Sequence, residues 1–169
     1  MANAADRRLF WTTASAVVGL DVITKLIAET GLHRPREVVG DYVVLRLVYN
    51  RGAAFGIDLG DSSRWIFFGL AIVALVVLAS MVRATRAGDR LRFFALALVC
   101  GGAFGNLVDR LRSAQGVVDF IEVGIGAYRW PTFNVADSAI TVGAIALAIS
   151  LWLEGRAQER AKEAGTAAP

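Results

Sequence analysis

The sequence predicts an all-α polytopic membrane protein: four transmembrane helices, a small β-rich extracytoplasmic loop region, and both termini in the cytoplasm. Three observations carry this. Hydrophobic residues make up 56% of the 169-residue chain, and they gather into long blocks rather than into the period-2 or period-3.6 patterns of soluble elements. Tryptophans mark the block ends. Basic residues crowd the short segments at one side of the membrane.

The blocks run from about Leu9 to Ala28, Trp65 to Val82, Phe93 to Val108 and Phe133 to Leu153. A hydrocarbon core of roughly 30 Å asks for about 20 helical residues, so the second and third blocks are slightly short, which snorkelling ends or local thinning accommodates. Only helices or closed barrels satisfy every backbone group in lipid, and barrel alternation is absent here. The first block is as long as a full span and has no convincing small-x-small cleavage site, so it reads as a retained helix and not a signal peptide. The chain divides into one membrane domain, 1–155, and a cytoplasmic tail, 156–169, read as a frayed helix or disorder.

Orientation follows from where lysine and arginine are densest. Arg7 and Arg8, the link bearing Arg83, Arg86, Arg90 and Arg92, and the tail bearing Arg156, Arg160 and Lys162 sit flush with block ends. The opposite side carries nearly as many basic residues, spread through longer loops. The positive-inside rule applies to the short segments, which places both termini in the cytoplasm. Trp11, Trp65, Trp130 and Trp152 lie at block ends, where an indole prefers the headgroup layer. The mild excess of positive charge fits topology and anionic lipid; the basic stripe with interleaved aromatics of a nucleic-acid binder is missing.

Two outer loops join the blocks. The stretch Glu37 to Asn50, rich in β-branched and aromatic residues, reads as a strand or hairpin near the membrane surface, bounded by the turn Asn50-Arg51-Gly52. Val117-Val118-Asp119-Phe120-Ile121 is a further short strand. Gly101 and Gly105 in block three form a small-xxx-small pair suited to close helix approach.

Ionisable residues inside spans are costly and are functional candidates by default. Asp21 and Lys25 are one turn apart and share a helix face, as a neutral structural pair or as part of a site. Asn106, Asp109 and Arg110 cluster at the outer end of block three, where the adjacent Asp109 and Arg110 read as a local ion pair or as substrate-positioning groups. Asn134 and Asp137 start block four, and an N-cap with a first-turn acid is the plain account of both. Asp119, between Val118 and Phe120, is harder to explain, because a buried carboxylate without partners is expensive.

Topology brings Asp119 and Asp137 to the same membrane face. At about 4 Å apart and an effective dielectric near 20, their repulsion is roughly 4 kcal/mol, which separates their ionisations by roughly three pKa units. Such a pair holds one proton and one charge near neutrality. One carboxylate then takes a proton from water while the other donates to a carbonyl oxygen, as in aspartic protease dyads.

Other chemistries have little material. His33 is the only histidine and sits among Arg34, Pro35 and Arg36 in a loop, so neither a zinc site nor a Ser-His-Asp triad is expected. Cys100 lies mid-span without an activating base. A Ser-Lys dyad from Lys25 with Ser15 or Ser138 stays open on sequence alone. A small transporter would distribute its polar residues through the membrane depth and show an inverted repeat. A non-catalytic assembly factor would leave the placement of Asp119 and Asp137 unexplained.

Five ordered motifs resemble the bacterial lipoprotein signal peptidases, or signal peptidase II: Asp21-x-x-Thr24-Lys25, Asn50-x-Gly52-Ala53-Ala54-Phe55-Gly56, Gly102-x-x-Gly105-Asn106-x-x-Asp109-Arg110, Val117-Val118-Asp119-Phe120 and Phe133-Asn134-x-Ala136-Asp137-Ser138. The resemblance spans the chain except its two tails. It implies an aspartic endopeptidase of the bacterial inner membrane. Such an enzyme cleaves signal peptides from diacylglyceryl-modified prolipoproteins just before the lipidated cysteine, at the extracytoplasmic face and without metal or cofactor. On this pattern Asp119 and Asp137 are the catalytic pair. Asn50, Gly52, Asn106, Arg110 and Asn134 match positions that line the site, and Asp21, Lys25 and Asp109 match positions that support it. Globomycin, a cyclic peptide antibiotic, is the family's inhibitor, and inhibition of this chain is the corresponding expectation. Gly52 and Gly56 suggest that the first outer loop forms a platform or lid over the site.

Overall fold

The computed structural model describes residues 2–52 and 60–166. Ala53, Ala54, Phe55 and Gly56, and with them the expected platform or lid, lie outside the described residues.

Four long apolar helices organise the chain: α1 (Ala4–Gly31), α2 (Ser63–Ala84), α3 (Arg90–Arg112) and α4 (Val135–Thr166). Each begins earlier or ends later than its hydropathy block. Hydropathy registers the segment in hydrocarbon, whereas the hydrogen-bonded helix continues through the headgroup layer. The 32 residues of α4 amount to about 48 Å, well beyond the roughly 30 Å of a bilayer core. The tail is therefore helical as far as Thr166. A capping box starts α1, in which Asn3 Oδ1 accepts from Asp6 N at 2.8 Å and Asn3 N donates to Asp6 Oδ2 at 3.2 Å.

Helix α3 is the axis of the bundle, with α1 and α4 packed against it and α2 leaning mainly on α3. Missing side chains make this closeness possible. A Cβ at Gly101 would stand 2.9 Å from Val17 Cβ, and one at Gly105 would stand 2.5 Å from Asp21 Oδ2. One at Gly102 would strike the backbone of Ala136 on α4. The small pair read from sequence thus seats α1, and its neighbour Gly102 seats α4. Helix α2 buries only Ser63 and Leu78 and exposes Trp65, Leu70, Val73 and Val76. Such a surface aggregates in water and is at home in lipid.

Between the helices lies a four-stranded antiparallel sheet in the order β1 (Arg36–Val39), β2 (Val43–Asn50), β3 (Val117–Ile125), β4 (Tyr128–Arg129). The first outer loop is thus a hairpin. The second holds a longer strand than its sequence core suggested, and Trp130 follows β4 instead of standing at the start of α4. A register shift between Leu45 and Val48 sets Val48 opposite Asp119 and Asn50 opposite Val117. Gly116, at φ 103°, lets the α3–β3 turn lie against the backbone of Asn50, where a Cβ would collide with the Asn50 carbonyl.

The two ends of the bundle differ. At one, Gly88 N donates to Asp6 Oδ2 at 2.9 Å and Arg92 pairs with Glu154 at 2.8 Å, which gathers the N-terminus, the α2–α3 link and the tail. At the other, Arg112 pairs with Glu29 at 2.9 Å beside the sheet.

Candidate active site

The site is built where β3 leaves α3 and where α4 begins. Lys25, only 1% exposed on α1, is the buried cation at its centre. Its ammonium contacts Asp21 Oδ2 at 2.7 Å, Asp109 Oδ2 at 2.8 Å and Asn106 Oδ1 at 3.0 Å. The ammonium is thus enclosed by two carboxylates and one amide oxygen. Asp109 Oδ1 also takes Arg112 Nε at 2.9 Å, which leaves two acids matched by two bases. Both acids also brace backbone: Asp21 Oδ1 accepts from Ala136 N at 2.9 Å, and Asp109 Oδ2, besides contacting Lys25, accepts from Val118 N at 3.1 Å. This cluster ties the starts of β3 and α4 to α1 and α3.

One expectation is corrected here. Asp109 and Arg110 do not pair with each other. Successive helical residues point about 100° apart, so Asp109 faces Lys25 and Arg112. Arg110 Nη2 reaches the Gly52 carbonyl at 3.0 Å and Nη1 the Asn106 carbonyl at 3.2 Å. Phe67 of α2 lies under its guanidinium at 6.0 Å. Arg110 Nε is buried without a hydrogen-bond partner among the described residues.

Because Lys25 holds Asn106 Oδ1, the Asn106 amide must present its N–H groups the other way, and Nδ2 donates to Asp137 Oδ1 at 2.8 Å. Asn134 is the second organiser and is fully buried. Its Oδ1 accepts from Asp137 N at 2.9 Å while its own N donates to Asp137 Oδ2 at 3.2 Å, a reciprocal cap on α4. The plain reading of Asn134 and Asp137 as helix-start residues is therefore met. The same Asn134 amide donates to Asp119 Oδ1 at 2.8 Å, with Val118 O and Asn106 Oδ1 both at 3.2 Å. Asn50 Nδ2 reaches Asp119 Oδ2 at 3.1 Å across the β2–β3 register. Asn50 Oδ1 accepts from Gly52 N at 3.0 Å, which shapes the turn that offers its carbonyl to Arg110.

Each oxygen of Asp119 and Asp137 thus receives a neutral amide N–H, and among the described residues neither carboxylate makes a hydrogen bond to a cation. Asp119 is 2% exposed, whereas Asp137 is half-buried. Burial lifts the Asp119 carboxyl to about 7, and the charge of Asp137 pushes the same way; the Asn50 and Asn134 amides and the more distant Lys25 only partly oppose this. Asp21, Lys25, Asn50, Asn106, Asp109, Arg110, Asp119, Asn134 and Asp137 converge on this one connected network. A Lys25–Ser138 dyad finds no footing, since Lys25 is ion-paired with Asp21 and Asp109 and Ser138 Oγ donates to the Asn134 carbonyl at 3.0 Å.

A family model described as signal peptidase (SPase) II matches residues 13–153. The chain belongs to the signal peptidase II family. A lipoprotein signal peptidase of Azoarcus sp. (strain BH72) is 42% identical over 92% of this chain and 88% of its own length. One from Francisella tularensis subsp. novicida (strain U112) is 36% identical over 82% of this chain and 88% of its own. A bacterial membrane enzyme structure determined in meso superposes with a TM-score of 0.78 at 32% identity, covering 86% of this chain and 88% of that one. As a signal peptidase II, the chain is a multi-pass membrane protease.

Two contributors to this network escaped sequence reading. Arg64, at the start of α2, donates to the carbonyls of Arg110 and Leu111 at 2.5 and 3.0 Å and ties α2 to the end of α3. Glu29 anchors Arg112 and thereby Asp109. Both look like ordinary surface charges, and only the fold supplies their partners.

Proposed function

We propose that this chain is an aspartic endopeptidase that removes signal peptides from diacylglyceryl-modified prolipoproteins, with Asp119 and Asp137 sharing one catalytic proton. The observation that supports this most is the pair's environment: two carboxylates held by neutral amides, one buried and raised to about 7, the other reachable by water. With its carboxyl lifted to about 7, Asp119 is the member of the pair assigned the shared proton in the proposed step.

In the proposed step a water beside Asp137 attacks the scissile carbonyl carbon. Asp137 takes the water proton while Asp119 gives its own to the carbonyl oxygen, which forms a neutral tetrahedral diol. Collapse breaks the C–N bond, the nitrogen gains the proton from Asp137, and a diol proton returns to Asp119. Nothing else is consumed. Arg110, with its unmatched Nε, is the donor available to hold a substrate carbonyl, and Asn50 and Gly52 shape the rim beside it. Lys25, Asp21 and Asp109 position Asn106 and the start of α4.

A substrate held in the bilayer by acyl chains diffuses in its plane, so its protease needs the dyad at headgroup depth, which suits a site at helix ends under a surface sheet. The density of basic residues at the other end supports cytoplasmic termini in the bacterial inner membrane and a dyad at the extracytoplasmic face. By the same family likeness, globomycin is expected to inhibit.

Purified protein in lipid with a lipidated prolipoprotein tests this. The parent cleaves, whereas Asp119→Asn and Asp137→Asn variants that still show a cooperative thermal transition do not. Cleavage surviving in both variants overturns the dyad, and an unlipidated substrate cut equally fast overturns the substrate assignment.

A further inference from the structure

At the end of the bundle away from the sheet, a cleft of about 540 Å³ opens between the first turns of α1 and the start of α3, lined by Ala4, Ala5, Arg8, Leu9, Thr12 and Arg90. Its charge is unbalanced. Arg8 and Arg90 form no ion pair among the described residues, whereas Arg92 and Arg86 on the same face pair with Glu154 at 2.8 and 3.9 Å. The nearby acids are engaged elsewhere. Asp6 accepts from Asn3 N and from Gly88 N, and Asp89 accepts from Arg92 N at 3.0 Å and pairs with Arg92 Nε at 3.4 Å.

The remaining lining is apolar or saturated. Thr12 Oγ1 donates to the Arg8 and Leu9 carbonyls of its own helix. Two free guanidiniums therefore stand over an alkyl wall, and the dipoles of α1 and α3 add positive potential at the same place. Trp11, 64% exposed, marks the depth as that of headgroups.

We propose that this cleft binds the headgroup of an anionic phospholipid, its phosphodiester between Arg8 and Arg90 and its glycerol and upper acyl carbons against Leu9, which lies on the membrane side of Arg8 along α1. Guanidiniums match phosphate oxygens in geometry as well as charge. A zwitterionic headgroup brings its own cation into a field that is already positive, and a free phosphate has no use for the alkyl wall. The proposal rests on the membrane reading alone and is independent of how the protease works.

The experiment uses delipidated full-length protein in detergent, given equal amounts of phosphatidylglycerol and phosphatidylcholine of identical acyl chains. Retained lipid is counted by native mass spectrometry. One phosphatidylglycerol is expected to be held preferentially, and the Arg8→Gln/Arg90→Gln variant is expected to lose about 30-fold in that preference. A charge-matched Arg7→Gln/Arg156→Gln variant keeps the preference, and cleavage is unchanged in both. Equal retention of the two lipids overturns the proposal. So does an equal loss in the charge-matched variant, which means a diffuse field, or displacement by inorganic phosphate, which means a simple anion site.

Discussion

Two carboxylate pairs lie within one network and are treated in opposite ways. Asp21 and Asp109 share Lys25, and Asp109 adds Arg112, so their charge is matched by cations at 2.7 to 2.9 Å. Asp119 and Asp137 receive amide N–H groups of Asn50, Asn106 and Asn134, at 2.8 to 3.2 Å, and no cation contact among the described residues. A cation fixes a carboxylate in its ionised form. An amide orients it and leaves the proton free to come and go. The first pair is held as a brace; the second is left free for the acid–base function proposed for it, and a single residue, Asn106, joins them by accepting from Lys25 and donating to Asp137.

The contrast is broken most severely at the lysine. Lys25→Met leaves Asp21 and Asp109 buried without their shared cation, at a cost of about 3–5 kcal/mol. The variant is expected to lose its thermal transition in detergent, while Asp119→Asn keeps or raises its own. A Lys25→Met protein as stable as the parent would show that the brace is dispensable. Next is Asn134→Ala, which removes a helix cap worth about 1–2 kcal/mol together with an amide shared by both halves of the site. Cleavage should fall far more than the melting temperature, and a loss confined to melting temperature would reduce Asn134 to a cap.

The sequence made the four helices legible, because a bilayer imposes a length and a polarity that few other constraints produce. The polar cast was legible for the same reason, since every ionisable residue in a span needed an explanation. Register was not. That Asn50 would meet Asp119 depends on the irregularity between Leu45 and Val48, a backbone detail with no residue signature. Nor could adjacency in sequence show that Asp109 and Arg110 part company, because both a local pair and two separate errands fit a helix end. Arg64 and Glu29 were illegible for a simpler cause: their partners are 46 and 83 residues away.

The titration of Asp119 sharpens the comparison further. Its carboxyl sits at about 7 when folded and at 3.8 in its ordinary state, so ionising it costs folding free energy. The stabilising contribution of the neutral form is complete below about pH 4 and is lost as pH rises through about 7. Melting temperature should therefore decline across that window in the parent relative to Asp119→Asn. Cleavage should fall on the alkaline side near pH 7, as the pair loses its last proton. Asn50→Ala removes a hydrogen bond that favours the ionised form, so it should move that limb upward by about half a unit to one unit. A shift downward would mean that Asn50 donates to a neutral carboxyl instead.

The smallest effect is expected at the outer cation of the brace. Arg112 contacts Asp109 and Glu29, but its side chain is 35% exposed, so water screens both pairs. Arg112→Gln should cost under about 1 kcal/mol in stability and leave the pH profile of cleavage where it was, because Lys25 still saturates Asp109 on the buried side. A displaced pH profile would be the informative failure. It would mean that charge at Asp109 reaches Asp137 through Asn106, so that the brace tunes the reacting pair as well as holding it, and the division between a structural and a chemical pair of carboxylates would no longer stand.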